Sequence, residues 1–545
     1  MTNIDYSEYW TNSEGDTVGR LIKRWSEKKP DKIALVLNEK KYTWKELEEK
    51  TAILATEYLK LGMVKGDRIG IIGPNHLETI IAWFAAARVG IVPVPINTRY
   101  RKIELEYLIS DSGCKTVFSI DRFGDFEFAK SVNELKEKCL DLKHVIVYGE
   151  TKPENGAIYV SYEEILKNKE INQKLIGENE PDSSDILMIL YTSGTTGVPK
   201  GVVHTHDSMF CDSKAYIGEV WHLTGDDVVL LAMPWTHMIG HEIFLNSALL
   251  LGQKIVVMES YNPVKFVDLI EKEKVTWFLG VPTMFMLPII RVPDIKERDF
   301  SSFTFGITAG FYAPPEQMKL FKSTYEIDLI QLLGSTEAGA MLMTRRDDPD
   351  EVAFNTIGRT VSNKEVKICN EEGKEVPMGE VGELWFKGPS IFKYYWNKPD
   401  LTKKEKDKSG FWHSGDMGKM VDEQGNIQLV SRKKEIIIRG GFNIYPGEIE
   451  AFVLNMSEIQ MAVLVGYPDS VLGAKTCLSV MLKPEAALTE EDLRARFKEN
   501  LANYKMPDII KIQKSPLPML PTGKPDKVTI RKNLLEELGI EDSSL

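Results

Sequence analysis

The ten residues from Thr192 to Gly201, TSGTTGVPKG, hold three threonines, a serine, three glycines, a proline and a lysine. A hydrophobic core has little use for such a stretch. Bare glycine backbone lets main-chain N–H groups approach an anion, hydroxyls donate further hydrogen bonds, and a lysine adds charge. The chemistry that asks for this combination is phosphate binding. Two well-characterised phosphate loops do not fit. The pattern G-x-x-x-x-G-K-[ST], started at Gly194, meets Pro199 where its second glycine belongs, and Lys200 is followed by Gly201. The pattern G-x-G-x-x-G fails because no two glycines of the chain stand two residues apart. Taken alone, the stretch also reads as a plain Ser/Thr/Gly turn.

Other polar groups stand where strands should end, which is where α/β proteins bind ligands. LLGSTEAGA follows the strand-like IDLIQ and places Ser335, Thr336 and Glu337 at that strand's C-terminal end. A carboxylate near a phosphate loop suits Mg²⁺, which is usually held by one or two carboxylates plus phosphate oxygens. FWHSGDMG places Asp416 in a tight glycine-flanked turn, a fixed carboxylate able to accept both hydroxyls of a ribose. PTGKPDK presents Lys524 from a Pro/Gly loop. Each motif has a bland alternative as a turn or a solvated charge.

These groups need a frame. Helix-periodic and strand-like segments alternate over the first two-thirds: WKELEEKTAILATEYLKLG as a helix, DRIGIIG as a strand, HLETIIAWFAAARVG as a buried helix, IVPVPI as a strand. DDVVLLAMP, QKIVVMES and VTWFLGVP read as further strands, with HEIFLNSALLLG and NPVKFVDLIEKEK as helices between them. This succession predicts α/β architecture, mostly parallel sheets covered by helices. From about residue 358 to 429 short turn-rich strands predict a small antiparallel, barrel-like sheet. From about residue 434 onward a mix of helices and strands predicts a compact α+β unit. The expected division is therefore 1–433 and 434–545.

The whole chain sets bounds. Its 545 residues are too many for one core. A net charge of −12 argues against general nucleic-acid binding, although a small polyanion feels only local charge. The five cysteines lack C-x-x-C spacing and read as free thiols in a reducing compartment. No apolar run is long and unbroken enough for a membrane span, and MTNIDYSEYW has no secretory character. The cytoplasm is the expected location.

Loop, GSTE, SGD, RKKEIIIRGGFNIYPGEIE and PTGK occur in the order and spacing of the adenylate-forming acyl-CoA synthetases, relatives of nonribosomal-peptide adenylation domains and beetle luciferases. The resemblance covers the chain from about residue 42 to 527. It implies a large N-terminal domain, a small mobile C-terminal domain and a site between them. It also implies a reaction in two halves: a carboxylate and MgATP give acyl-adenylate and pyrophosphate, then coenzyme A displaces AMP. Roles carry over by motif. Thr192, Ser193, Gly194, Thr195, Thr196 and Lys200 resemble the loop that holds the β- and γ-phosphates. Thr336 looks like the α-phosphate contact and Glu337 the Mg²⁺ ligand. Asp416 and Arg432 match the ribose pair. Gly310, Phe311 and Tyr312 are similar to the segment lining adenine, with Gln331 reaching its exocyclic amine. Lys524 matches the lysine that bridges substrate carboxylate and phosphate. His237 matches the mouth of the acyl pocket, and Lys434 falls at the hinge. Gly440, Gly441 and Phe442 resemble the pantetheine tunnel. Leu333 departs from the family, which carries an aromatic ring there to stack on adenine.

The resemblance also bears on the substrate. MPWTHMIGHEIF lacks the Asp with which amino-acid-activating relatives bind an ammonium group. Acetate-specific relatives close the acyl pocket with Trp at the position of Gly334. An open pocket among small and apolar neighbours implies an uncharged acyl group larger than propionyl: medium-chain, branched, alicyclic or aromatic. Two rival activities share the motifs, transfer of the adenylate to a carrier protein and a luciferase-like oxygenation. The implied partners are a carboxylic acid, ATP and CoA, with no nucleic acid, and a homodimer is compatible.

Overall fold

The computed structural model describes residues 4–10, 15–150, 159–192, 199–310, 313–439, 442–469, 472–501, 503–520 and 524–540. Among the described residues the larger sheet has eight strands. Their order is Gly339–Met343, Asp328–Ser335, Phe305–Ala309, Trp277–Gly280, Val228–Leu231, Lys254–Val257, Ile33–Leu37 and Lys40–Thr43. All neighbours run parallel except the pair at each end. A second sheet of five strands, all parallel, is centred on Arg68–Ile72 and Cys114–Ile120. Its edge strand Val92–Ile96, VPVPI, carries two prolines, which an edge tolerates because one side needs no ladder donors.

Helix Leu77–Ala87 shows why the two sheets share one core. Its sequence LETIIAWFAAA is apolar all round, and every residue but Glu78 is buried. A helix with no polar face has to be enclosed, and this one contacts strands of both sheets. Helix Trp44–Lys60 begins at a capping box in which Thr43 Oγ1 accepts from Glu46 N–H at 3.2 Å and Glu46 Oε2 accepts from Thr43 N–H at 2.8 Å. It stops just before Gly62, whose φ of +82° ends the turn.

A four-stranded antiparallel sheet, Glu365–Cys369, Gly382–Lys387, Trp412–Met420 and Ile427–Arg432, packs on its own apolar cluster. Beyond it come the hairpin Ile437–Arg439 and Phe442–Ile444, and a three-stranded sheet of Ile459–Asp469, Gly473–Leu482 and Ile509–Gln513. Helices Pro446–Leu454, Glu490–Asn500 and Lys527–Leu538 cover that sheet. The two apolar clusters here draw only on residues from Ile437 onward.

The structure departs from the sequence reading at two places that matter for the site. Asp416 is not in a turn. It stands in the middle of the nine-residue strand Trp412–Met420, opposite Arg432 of the next strand. Gly415 before it has φ of +72°, and that local bend gave the motif its turn-like composition. The segment read as an ordinary helix at HEIFLNSALLLG begins as a π-helix, Ile239–Asn246, and becomes α-helical only over Ser247–Leu251. A side chain at Gly240 would meet Trp235 Cα at 2.6 Å and Pro234 O at 2.7 Å, so the wide first turns press on the preceding backbone.

Candidate active site

The phosphate-type loop leaves from the end of a two-stranded ribbon. Strands Ile186–Thr192 and Lys200–Thr205 pair antiparallel, with Thr192 opposite Lys200 at the mouth. Ser193, Gly194, Thr195 and Thr196 lie outside the described residues. Lys200 is held by the ribbon, and its ammonium lies 3.1 and 3.3 Å from the two oxygens of Glu405 and 3.3 Å from Tyr395 Oη. It also sits 4.5 Å over the Tyr395 ring and 3.8 Å from Glu337 Oε1.

Glu337 belongs to the hairpin that ends the large sheet. Strand Asp328–Ser335 runs on through the GS of GSTE before turning into Gly339–Met343, so Thr336 and Glu337 occupy the bend. Two anchors hold it. His204 is buried and its imidazole is held down to about 4 by burial, so as a neutral ring it donates Nε2–H to Thr336 O at 2.7 Å. Ala338 N–H donates to Ser335 Oγ at 3.1 Å. The Glu337 carboxylate keeps 12% exposure, and Oε1 lies 2.9 Å from Tyr395 Oη. Its Oε2 makes no hydrogen bond to a described residue. A carboxylate with a spare oxygen beside the ammonium of Lys200 fits a Mg²⁺ ligand.

Gln331 stands on the same strand. Its Nε2 donates both hydrogens inward, to Ala353 O at 2.9 Å and Thr356 O at 3.1 Å. That leaves Oε1, the acceptor an exocyclic amine needs. Leu333 is half-buried against the antiparallel-sheet cluster, and Gly334 is exposed.

Asp416 is 1% exposed, and its Oδ1 pairs with Arg432 Nε at 2.5 Å. Oδ2 is buried with no partner among the described residues. An orphaned carboxylate oxygen in a closed site is costly unless a ligand donor reaches it. Burial pushes the Asp416 carboxyl up to about 6 against the pull of Arg432 and Lys524.

Lys524 reaches the same cleft from the C-terminal unit, its Cε 3.8 Å from where a side chain on Gly310 would begin. Its ammonium is held below the usual range by the crowding walls of the cleft and then by Arg432, with Asp416 and Glu435 acting the other way. The side chain keeps solvent contact, which sets a limit on how far this goes. His237 lies across the cleft with its side chain open to solvent, and its ring is lowered first by the packing of the cleft around it and then by Lys524. Residues from GSTE, SGD, the basic cluster and PTGK thus meet in one cleft. Phe311, Tyr312, Gly440 and Gly441 lie outside the described residues, and Phe442 is described only in its backbone. Lys434 falls in the short turn Lys433–Glu435 between the antiparallel sheet and the C-terminal unit.

Three residues of the site were not read from the sequence. His204 lies four residues beyond Lys200 in an otherwise ordinary strand, Tyr395 in FKYYWN carries no local signal, and Glu405 sits in LTKKEKDK, a run indistinguishable from a solvated charged face.

The chain matches the AMP-binding enzyme family over residues 22–396 and the AMP-binding enzyme C-terminal domain over 448–524. It belongs to the AMP-binding enzyme family. A medium-chain fatty-acid–CoA ligase of Escherichia coli is 30% identical over 93% of this chain and 89% of its own length. ATP-bound MatB from Rhodopseudomonas palustris superposes with a TM-score of 0.84 at 25% identity, covering 96% of this chain and all of that one (100%). An anthranilate CoA ligase in complex with anthranoyl-AMP gives 0.85 over 98% of this chain and 100% of its own, and at 21% identity it speaks for the fold alone. No described helix is long and apolar enough to cross a membrane.

Proposed function

We propose that this enzyme is an ATP-dependent acid–CoA ligase that works through an acyl-adenylate. The observation that carries the reading is the placement of Lys524, from the far end of the chain, beside Gly310 and within charge range of Asp416, Arg432 and His237. In the first half-reaction a substrate carboxylate oxygen attacks the α-phosphorus of ATP, the bond to the β-phosphate oxygen breaks, and pyrophosphate leaves. Two anions must approach each other for this. Lys524 offsets the charge that builds between them, Thr336 holds the α-phosphate, and Asp416 with Arg432 takes the ribose hydroxyls. Glu337 would hold Mg²⁺, and the ion would supply neutralisation of the phosphate charge. Thr192, Lys200 and residues 193–196 hold the departing phosphates. In the second half the thiol sulfur of CoA attacks the acyl carbon and AMP leaves, with Gly440, Gly441 and Phe442 along the pantetheine path.

In this reading the domains are 1–433 and 434–545, with Lys434 at their hinge. The acid is uncharged and larger than propionate, medium-chain or cyclic. That fits the name of the Escherichia coli relative. Magnesium as the metal, the cytoplasm and a homodimer complete the reading. The test is pyrophosphate release over a panel of carboxylic acids with and without CoA. Acid-dependent pyrophosphate together with CoA-dependent AMP is the expected result. Adenylate that CoA does not discharge would point to a carrier protein and overturn the ligase reading.

A further inference from the structure

We propose that Glu405 competes with substrate phosphate for Lys200, and so limits how tightly the site holds MgATP and pyrophosphate. This rests on reading the loop from Thr192 to Gly201 as the phosphate site. The neck of that loop is fixed by the pairing of Thr192 with Lys200, so the lysine's backbone is set and only its side chain can change partner. In the protein as it stands that side chain is taken. Glu405 offers it two oxygens at 3.1 and 3.3 Å, the arrangement a phosphate would offer. The pair is sheltered, with Lys200 13% and Glu405 25% exposed, so water screens it less than a surface ion pair.

Two further observations mark Glu405 as placed for this contact. It is the last residue of helix Pro399–Glu405, where the helix dipole disfavours an acid and the two preceding residues are Lys403 and Lys404. Its Oε2 also lies 2.5 Å from Tyr395 Oη, the same hydroxyl that lies 2.9 Å from Glu337 Oε1. A phenol has one proton, so it can donate to only one of these carboxylates at a time. The Lys200 ammonium offsets the other. Two acids therefore share one hydroxyl and one cation, and drawing Lys200 toward phosphate leaves Glu405 without its counter-charge. That loss is set against phosphate affinity. A site that must release pyrophosphate before CoA can act gains from such a competitor.

The test is calorimetric titration of the full-length protein with pyrophosphate in the presence of magnesium, alongside KM for ATP. Glu405→Gln keeps the shape and an acceptor for Tyr395 but removes the charge. It should bind pyrophosphate about tenfold more tightly, on the scale of one charge-assisted hydrogen bond, and lower the KM for ATP. Glu405→Asp should stay near wild type. In a Lys200→Ala background the Gln substitution should change nothing. Unchanged or weaker pyrophosphate binding by Glu405→Gln overturns the proposal, as does an effect that persists without Lys200. Failure of the wild-type protein to bind pyrophosphate or ATP at all would instead overturn the function proposed above.

Discussion

Asp416 combines burial with a pairing on only one oxygen, and this gives it a testable pH signature. Its carboxyl is raised from an ordinary value of 3.8 to about 6, because burial outweighs the nearby cations. The folded chain therefore binds this proton more tightly than the unfolded chain does. The stabilisation is fully present below pH 3.8 and lost as pH rises through about 6. Asp416→Asn removes the term. The melting temperature of the variant minus that of wild type should therefore increase between pH 4 and pH 6, and a difference flat with pH would show that Asp416 does not titrate in that window. The same variant loses a charged acceptor for ribose. The KM for ATP should rise roughly tenfold to a hundredfold at pH 7.5, as expected for a charged hydrogen bond of about 1.5–3 kcal/mol. Lys524 gives a cleaner separation, because its cleft-facing side chain supports no core cluster. Lys524→Ala should lower adenylate formation by several orders of magnitude. It should leave thioester formation from supplied acyl-adenylate near wild type, which rapid-quench assays of each half-reaction will show.

At the scale of elements, the proposed function gives the hairpin carrying GSTE a part in both catalysis and acyl selection. Gly334 is exposed on it, but a side chain there would begin 2.8 Å from Gly339 O and 3.3 Å from Leu332 Cδ2. Gly334→Trp should therefore do two things on the proposed reading: fill the acyl channel and push the partner strand. Gly334→Ala isolates the second effect, at roughly 1–3 kcal/mol of stability for overpacking. Relative to that control, Trp should reduce kcat/KM for six-carbon and larger acids while sparing acetate and propionate. Each methylene that can no longer be buried forfeits about 0.8 kcal/mol. An unchanged order of preference across chain lengths would remove Gly334 from the channel. This hairpin also shows what the sequence could and could not disclose. Apolar periodicity and glycine stops located the strands and helices, because the burial that makes an element is written in its own residues. Motif spacing located Glu337, Asp416 and Lys524 as candidates, since a polar group in a glycine-rich bend is locally odd. The strand conformation of Asp416 was hidden, because it depends on pairing with Arg432 on another strand. His204 beneath Thr336, and Glu405 beside Lys200, were hidden for the same reason. Their partners are 132 and 205 residues away along the chain, and nothing local distinguishes them from core and surface residues.

Under the proposed function, the arrangement of the whole molecule turns on how a single lysine on the C-terminal unit would serve the first half-reaction and then withdraw. Lys524 stands in the cleft, so on the proposed function this arrangement is the one that would serve adenylation. The connection between the units is narrow. Strand Ile427–Arg432 ends in the turn Lys433–Glu435, and the hairpin Ile437–Arg439 follows at once. Ionic ties flank it on both sides: Lys433 reaches Glu383 of the antiparallel sheet at 2.9 Å, while Glu435 pairs with Lys527 of the C-terminal unit at 2.5 Å. Lys434 lies between a residue tied to one unit and a residue tied to the other, the position at which a change in backbone dihedral would turn the second unit. Proline there fixes φ near −65°, close to the value a tight helical turn already uses. Lys434→Pro should therefore tolerate the present arrangement and resist departure from it. Adenylation, followed as acid-dependent pyrophosphate release, should stay within about threefold of wild type. Thioester formation from supplied acyl-adenylate and CoA should fall at least tenfold. That is the reverse of the Lys524→Ala pattern, and the two variants together locate the boundary between the half-reactions. If Lys434→Pro leaves both rates at wild-type values, the turn at Lys433–Glu435 is not where the units move, and if it lowers adenylation as much as thioester formation, the turn is a structural joint that the first half-reaction also needs.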